Sequence, residues 1–192
     1  MSEKTLTEQQ EKWMASVRAS LEKATGKPLE AWIKLADACP EAKPKARQKW
    51  FKDNHGLGQN YFMLVERERN RAAGVAPKDS KDTAAELWSD PKAAAIFEAL
   101  KAAVGELPDL VTGQRKGYTS WSRSFAFAAA RPVKGGTVRL GLAVEPGAGP
   151  RLEAATAKEG WSERLKSTAV LGAPGEVDAE LKAFLRAAWE RS

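Results

Sequence analysis

The spacing of apolar residues changes near Pro108, and this change limits the folds that the chain can adopt. Before that proline, apolar residues recur at intervals of three and four, as they do on one face of a helix. After it, they alternate with polar residues or form short apolar runs between glycines, as strands do. The sequence therefore predicts an α+β protein, with a small N-terminal helical bundle followed by an antiparallel sheet packed with flanking helices.

Four helical segments are expected in the first part of the chain. The first places Trp13 and Leu21 on its apolar face, and the second follows Pro28. The third is expected over about 45–54, and the fourth begins near Gly58. Together these segments predict a compact bundle of helices.

A polar segment with one proline follows the bundle and has the composition of a linker. We therefore expect three parts: a helical bundle over 1–74, a linker over 75–82 and an α+β domain over 83–192. A chain of 192 residues is long enough for two small domains of this kind.

Helices are expected to flank the strands of the α+β domain. Helical spacing over 83–107 is interrupted at Asp90, and Pro91 is expected at the first position of a second helix. Strands are expected at 118–124, 125–128, 137–144 and 166–171. A last helix is expected over about 176–191, and it would cover the sheet.

Composition argues against several classes of protein. The single cysteine, Cys39, excludes an internal disulfide and fits a reducing compartment. The first residues are polar and lack the apolar core of a signal peptide, and no run of eighteen apolar residues is present. The sequence therefore predicts a cytoplasmic protein without a membrane segment.

Positive charge is concentrated in two segments of a chain whose net charge is +6. The first is 43–52, where five cations precede the first acid, Asp53. The second is 110–144, which contains no acidic residue. Clustered cations attract phosphate and carboxylate groups, although solvated faces without a ligand are the alternative. The candidate anion-binding residues are Lys43, Lys45, Arg47, Lys49, Lys52, Arg115, Lys116, Arg123 and Arg139.

The segment His55-Gly56-Leu57-Gly58 is expected to be a structural turn between two helices. Gly56 is expected to cap the first helix with a positive φ angle, Leu57 to enter the core and Gly58 to let the helices approach. His55 is the only histidine, and with one cysteine in the chain no metal site is expected. A helix-turn-helix that docks on DNA is the alternative for this hairpin.

Aromatic residues are interleaved with the second group of cations. Phe125 and Phe127 are expected to share one face of a strand, whereas Tyr118 and Trp121 have opposite parity. Rings that stack on bases beside cations are typical of single-stranded nucleic-acid platforms, and core packing is the alternative. A pocket at Tyr118 and Trp121, close to Arg139, is a further candidate site for a small anion.

No pattern of an enzyme is found in the sequence. Ser120, Ser122 and Ser124 lack a neighbouring histidine, and no G-x-S-x-G, Rossmann or Walker motif occurs. No catalytic residue and no cofactor is therefore assigned. The sequence favours a non-catalytic binding module for an anionic partner, with nucleic acid as the leading candidate. The alternative hypothesis is a sensor or carrier of an anionic metabolite, with a pocket in the α+β domain. The third hypothesis is an enzyme without a recognisable motif.

Two motifs resemble known families. Thr25 to Trp32 followed by Trp50 to Gly58 is similar to the pattern T-G-K-x-L-x-x-W and W-L-K-x-x-H-G-L-G of the bacterial helical domain of unknown function 4287. The second half resembles the α+β domain of unknown function 5655 in the segments 118–127, 139–142, 151–153 and 177–181. The resemblance implies this architecture and a bacterial cytoplasmic setting, and it brings no activity. Residues 59–62 are bulkier and more polar here than is usual after the H-G-L-G motif.

Overall fold

The computed structural model describes residues 6–74 and 80–192. The described residues form two compact units, and each has its own core. The N-terminal unit comprises residues 10–74, and the C-terminal unit comprises residues 6–9 and 80–192. Of the expected linker, residues 75–79 lie outside the described residues, and Ser80 already begins a helix.

The N-terminal unit is built from four helices, as the sequence predicts. These are α1 (Glu8–Thr25), α2 (Leu29–Asp37), α3 (Pro44–His55) and α4 (Gln59–Ala72), of which α1 begins just outside the unit. Leu21, Trp32, Phe51 and Val65, one from each helix, are fully or almost fully buried in its core. The expectation that Trp13 faces this core is wrong, since its side chain is 47% exposed. The buried residues of α1 all lie in its second half, so the helix packs only there.

The C-terminal unit contains a six-stranded antiparallel sheet with helices beside it. The helices are α5 (Ser80–Leu87), α6 (Pro91–Gly105) and α7 (Ala179–Glu190). The strands are β1 (Val111–Gln114), β2 (Thr119–Ser122), β3 (Ala126–Val133), β4 (Thr137–Leu142), β5 (Glu153–Ala154) and β6 (Ser167–Leu171), in the spatial order β1-β2-β3-β4-β6-β5. The predicted α+β class is confirmed, with β1 and β5 as additional strands.

The two faces of the sheet carry different side chains. One face presents Trp121, Leu140 and Leu171 to a core that α6 and α7 complete. On the other face a row of small residues crosses the sheet from strand to strand. The row consists of Gly113, Ser120, Ala129, Gly141 and Thr168, which are aligned by the strand register.

A tryptophan lies against this row of small residues. A Cβ atom at Gly141 would come within 2.8 Å of the Trp161 ring, which belongs to the loop between β5 and β6. Glycine is therefore required at this position, because any side chain would displace the indole. The loop thus covers the sheet on the face opposite the helices.

Phe125 and Phe127 do not share a face, contrary to the expectation. The pairing of β2 with β3 shifts register between Trp121 and Ser122, and Phe125 precedes β3 in the connecting turn. Phe127 is fully buried, whereas Phe125 is 37% exposed. Strand parity fails here because the shift and the turn interrupt the alternation.

Asp90 and Asp178 cap the two long helices of the C-terminal unit. Pro91 occupies the first position of α6, as the sequence predicts, and the Asp90 carboxylate accepts hydrogen bonds from two backbone N–H groups. At α7 the Asp178 carboxylate accepts from the Leu181 N–H at 2.9 Å and from Arg151 at 2.7 Å. The bond from Leu181, assisted by Arg151, lowers the pKa of Asp178.

The substitution Asp178→Asn is expected to destabilise the C-terminal unit near neutral pH and to have a diminishing effect in acid. A lowered carboxyl pKa adds stability above the ordinary carboxyl range, and this stability is lost as the pH falls through the lowered value. Asparagine caps a helix equally well, so the substitution isolates the charge. Urea unfolding of both proteins from neutral to acid pH measures the difference.

The control for this experiment is Glu153→Gln, which removes an exposed carboxylate that forms no ion pair among the described residues. We expect it to stay close to the parent protein at each pH. A constant difference between Asp178→Asn and the parent at all pH values would contradict the charge-based account.

Among the described residues, no helix combines the length and the apolar character needed to cross a membrane.

Candidate functional site

The His55-Gly-Leu-Gly segment forms the predicted turn between α3 and α4. Gly56 has a φ of 65° and its N–H donates to the Lys52 carbonyl at 3.0 Å, which caps α3. Leu57 is buried in the core, as expected. Gly58 does not mediate a close approach of the helices, because a Cβ atom there would meet nothing within 4 Å. Gly58 is instead the N-cap residue of α4.

His55 lies among aromatic rings that the two N-terminal motifs bring together. Its ring centre is 4.8 Å from that of Trp50 and 5.9 Å from those of Trp32 and Phe51. The Trp32 indole N–H donates to Thr25 Oγ1 at 3.1 Å, which ties the first motif to the same cluster. His55 Nε2 is buried and has no hydrogen-bond partner among the described residues. His55 thus stands in the last turn of α3, and its ring packs against the aromatic side chains of the two motifs.

Arg47 differs from the lysines around it because it is buried. Only 7% of the residue is exposed, and its guanidinium forms an ion pair with Glu66 on α4 at 2.6 Å. The guanidinium also donates to the carbonyls of Ala36 at 2.7 Å and Glu41 at 3.1 Å. The hydrogen bond to Glu66 outweighs burial and raises the pKa of Arg47. Arg47 thus connects α3 with α2 and α4 and does not lie with the lysines on the surface.

The other cations of α3 remain at the surface. Lys45, Lys49 and Lys52 are spaced by four and three residues, so they project from one side of the helix. Lys49 forms an ion pair with Asp53, and this hydrogen bond raises the pKa of Lys49. No ion pair to Lys45 or Lys52, or to the exposed Lys43 at the N-cap, is found among the described residues. We call Lys45, Lys49 and Lys52 the α3 lysine face.

Three of the six cations in the segment 110–144 are engaged within the C-terminal unit. Arg131 and Arg139 both form ion pairs with Glu159, a buried carboxylate in the β5–β6 loop, and Arg139 does so at 2.7 Å. The Arg123 guanidinium lies 4.4 Å from the centre of the Trp189 ring. Arg115 and Lys116 are exposed in the β1–β2 turn. The acid-free segment therefore does not form one continuous basic surface.

The residues of the predicted pocket do not converge. Trp121 is 1% exposed in the core, where its ring centre is 6.0 Å from that of Phe97. Tyr118 is half-buried with its ring centre 6.4 Å from that of Trp161. Arg139 lies on the opposite face of the sheet from Trp121, as the strand register requires. These side chains cannot line a common cavity.

In the part of the chain that the structure describes, no three histidine, cysteine, aspartate or glutamate side chains are grouped so that they could hold a metal ion.

Comparison with known proteins identifies two families. The model of the Domain of unknown function (DUF5655) matches residues 84–192, and that of the Domain of unknown function (DUF4287) matches residues 13–70. These matches confirm both resemblances and their order along the chain. No curated protein and no solved structure matches the chain.

Proposed function

Because the chain belongs to the Domain of unknown function (DUF5655) family, whose description assigns no activity, we propose a function from the geometry alone. The protein is a non-catalytic binding module for an extended anionic partner, nucleic acid foremost, and the partner contacts the α3 lysine face of the N-terminal unit. The observation that carries the proposal is that all three lysines are exposed and that, among the described residues, Asp53 alone forms an ion pair with them, at Lys49.

The dimensions of the α3 lysine face suit a phosphate backbone. Lys45 and Lys52 are seven residues apart, which corresponds to about 10 Å along a helix. Nucleotides in one strand of duplex DNA advance by about 3.4 Å each, so the face spans about three phosphates. Lysine ammonium groups on flexible stems adapt to such a repeating charge without reading the sequence of bases.

The ion pair between Lys49 and Asp53 does not oppose this role. Both side chains are largely exposed, and exposed ion pairs contribute little to stability because water competes for each charge. A phosphate group can therefore replace Asp53 as the partner of Lys49 at small cost.

The proposal predicts that the triple variant Lys45→Glu/Lys49→Glu/Lys52→Glu binds nucleic acid at least tenfold more weakly than the parent protein. Reversing the charges replaces attraction by repulsion at the phosphates. Fluorescence anisotropy with labelled single- and double-stranded oligonucleotides at low salt measures this affinity. The logarithm of the parent's binding constant should fall with the logarithm of salt concentration with a slope of about −2 to −3 if three lysines contact phosphates.

The control is Lys23→Glu/Lys34→Glu/Arg67→Glu, which makes the same change of charge at exposed positions elsewhere in the N-terminal unit. We expect this variant to keep most of the affinity. Arg47 is left intact in both variants because it is buried. Equal losses of affinity in the two variants would show that net charge alone, and not the α3 lysine face, determines binding. The absence of binding by the parent protein at low salt would refute the proposal.

A further inference from the structure

A small cleft at one end of the sheet gathers three cations from separate parts of the C-terminal unit. Arg164 and Lys166 come from the chain just before β6, and Arg191 is the C-cap of α7. Phe125 from the turn before β3 and Glu145 from the chain after β4 also line the cleft, together with small side chains. Its volume is about 210 Å³. None of these residues belongs to the α3 lysine face.

Phe125 holds the first of these cations in place. The Arg164 guanidinium lies over the Phe125 ring, 3.8 Å from its centre. Stacking uses the flat face of the guanidinium and leaves its in-plane N–H groups free, and these groups match the two oxygens of a carboxylate or phosphate. A cation that is fixed before the ligand arrives loses less conformational entropy on binding. The stack also gives the exposed Phe125 side chain a role that core packing does not provide.

The cleft has more positive charge than its own acid can balance. Among the described residues no ion pair engages Arg164, Lys166 or Arg191, although Arg131, Arg139 and Arg151 of the same unit all bind carboxylates. Glu145 is the single acidic side chain in the lining. Ser192 also lines the cleft, and even with a terminal carboxylate there, Glu145 and the half negative charge of the α7 C-terminus bring the negative charge to about two and a half, which three positive charges still exceed. Unpaired like charges at one place repel one another, and a bound anion relieves this repulsion.

We infer that this cleft binds a small molecule through a phosphate or carboxylate group. The volume is below the 300–1,000 Å³ that is usual for drug-sized ligands, which suits a compact anion. The cleft belongs to the C-terminal unit and the α3 lysine face to the N-terminal unit, so the inference does not depend on the proposed function.

Isothermal titration calorimetry of the whole chain with inorganic phosphate and, separately, with succinate tests the inference. The buffer should be free of both anions and low in salt, and glycerol serves as the uncharged probe. We expect saturable binding of at least one anion and a higher melting temperature in its presence, because a ligand of the native state stabilises it. The anion that binds more tightly identifies the group for which the cleft is built.

The double variant Arg164→Gln/Lys166→Gln is expected to bind that anion at least tenfold more weakly, because it loses two charge-assisted contacts. Its control is Lys134→Gln/Lys158→Gln, with the same charge change at two exposed positions of the same unit outside the cleft. The control should bind as the parent protein does. The melting temperature of each variant without ligand shows whether its fold is intact.

A milder variant keeps the test decisive if the double variant is destabilised. Phe125→Leu keeps every charge and removes the stack, so we expect a severalfold loss of affinity with an unchanged fold. The absence of saturable binding of both anions at tens of millimolar would overturn the inference, as would equal losses in the double variant and its control. A protein altered in the α3 lysine face should bind the anion normally, so the two proposals fail separately.

Discussion

Replacing Arg47 with alanine is expected to lower the free energy of unfolding of the N-terminal unit by about 3–5 kcal/mol. The guanidinium holds the Glu66 carboxylate and two backbone carbonyls, those of Ala36 and Glu41, in a site where the residue is almost fully buried. Its loss leaves Glu66 without its main partner and removes one donor from each carbonyl, of which that of Ala36 keeps, among the described residues, only the 3.4 Å bond from the Cys39 N–H. Each unpaired buried group carries a desolvation cost that water outside the core does not repay.

Hydrogen exchange of the whole chain in increasing urea, followed by mass spectrometry, measures this effect. Peptides from α2, α3 and α4 report on the N-terminal unit by itself. Arg67→Ala is the control, since Arg67 is an exposed arginine of α4 without an ion pair among the described residues. Similar effects of the two substitutions would show that Arg47 is solvated in the folded protein.

A second comparison separates burial of the charge from loss of packing. The double variant Arg47→Met/Glu66→Leu removes both charges and keeps apolar volume, and such replacements of buried pairs are often nearly neutral. We expect it to recover part of the lost stability. Recovery is incomplete because the carbonyls of Ala36 and Glu41 still lack the donor that Arg47 supplies.

Replacing Glu159 with glutamine is expected to have two effects on the C-terminal unit. The free energy of unfolding should fall by about 2–3 kcal/mol, less than for Arg47, because Arg131 and Arg139 are 29% and 31% exposed and can turn to water. The affinity for anions should rise at the same time, since Arg131 and Arg139 lose the one carboxylate with which both are paired. A gain in anion binding together with a loss of stability is specific to this arrangement of charges.

Urea unfolding and titration with a labelled oligonucleotide measure the two effects on the same preparation. The control is Glu163→Gln, an exposed glutamate of the same loop that forms no ion pair among the described residues. It makes the same change of net charge without releasing an arginine. The free energy of unfolding and the oligonucleotide affinity should therefore stay near those of the parent protein. An unchanged anion affinity in Glu159→Gln would show that the freed arginines find other partners.

The sequence predicts most helices and strands of this fold because their apolar periods are regular and their ends are marked. Asp90-Pro91 marks the start of α6, and Gly56 marks the end of α3. The strands β1 and β5 escape prediction for a physical reason. The strand β1 contains a glycine and one buried apolar residue, and β5 has only two residues, so neither shows a period. Both exist because a neighbouring strand pairs with them.

The candidate site is harder to predict from the sequence, because a count of charged residues does not show which of them form ion pairs. The acid that pairs with both Arg131 and Arg139 is Glu159, which lies outside the acid-free segment in the sequence and is brought to them by the fold. For Arg47 a signal was present in the sequence. It precedes the inward-facing Phe51 by four residues and therefore shares its face of α3, whereas Lys45, Lys49 and Lys52 follow another row.

The contact between Gly141 and Trp161 couples two positions that are twenty residues apart in the sequence. A larger residue at 141 occupies the place of the indole, and a smaller residue at 161 leaves the sheet uncovered. Either change alone is unfavourable, whereas the two together restore the fit. Homologous domains should therefore vary at these positions as a pair, and a chain with a side chain at 141 should lack the tryptophan at 161.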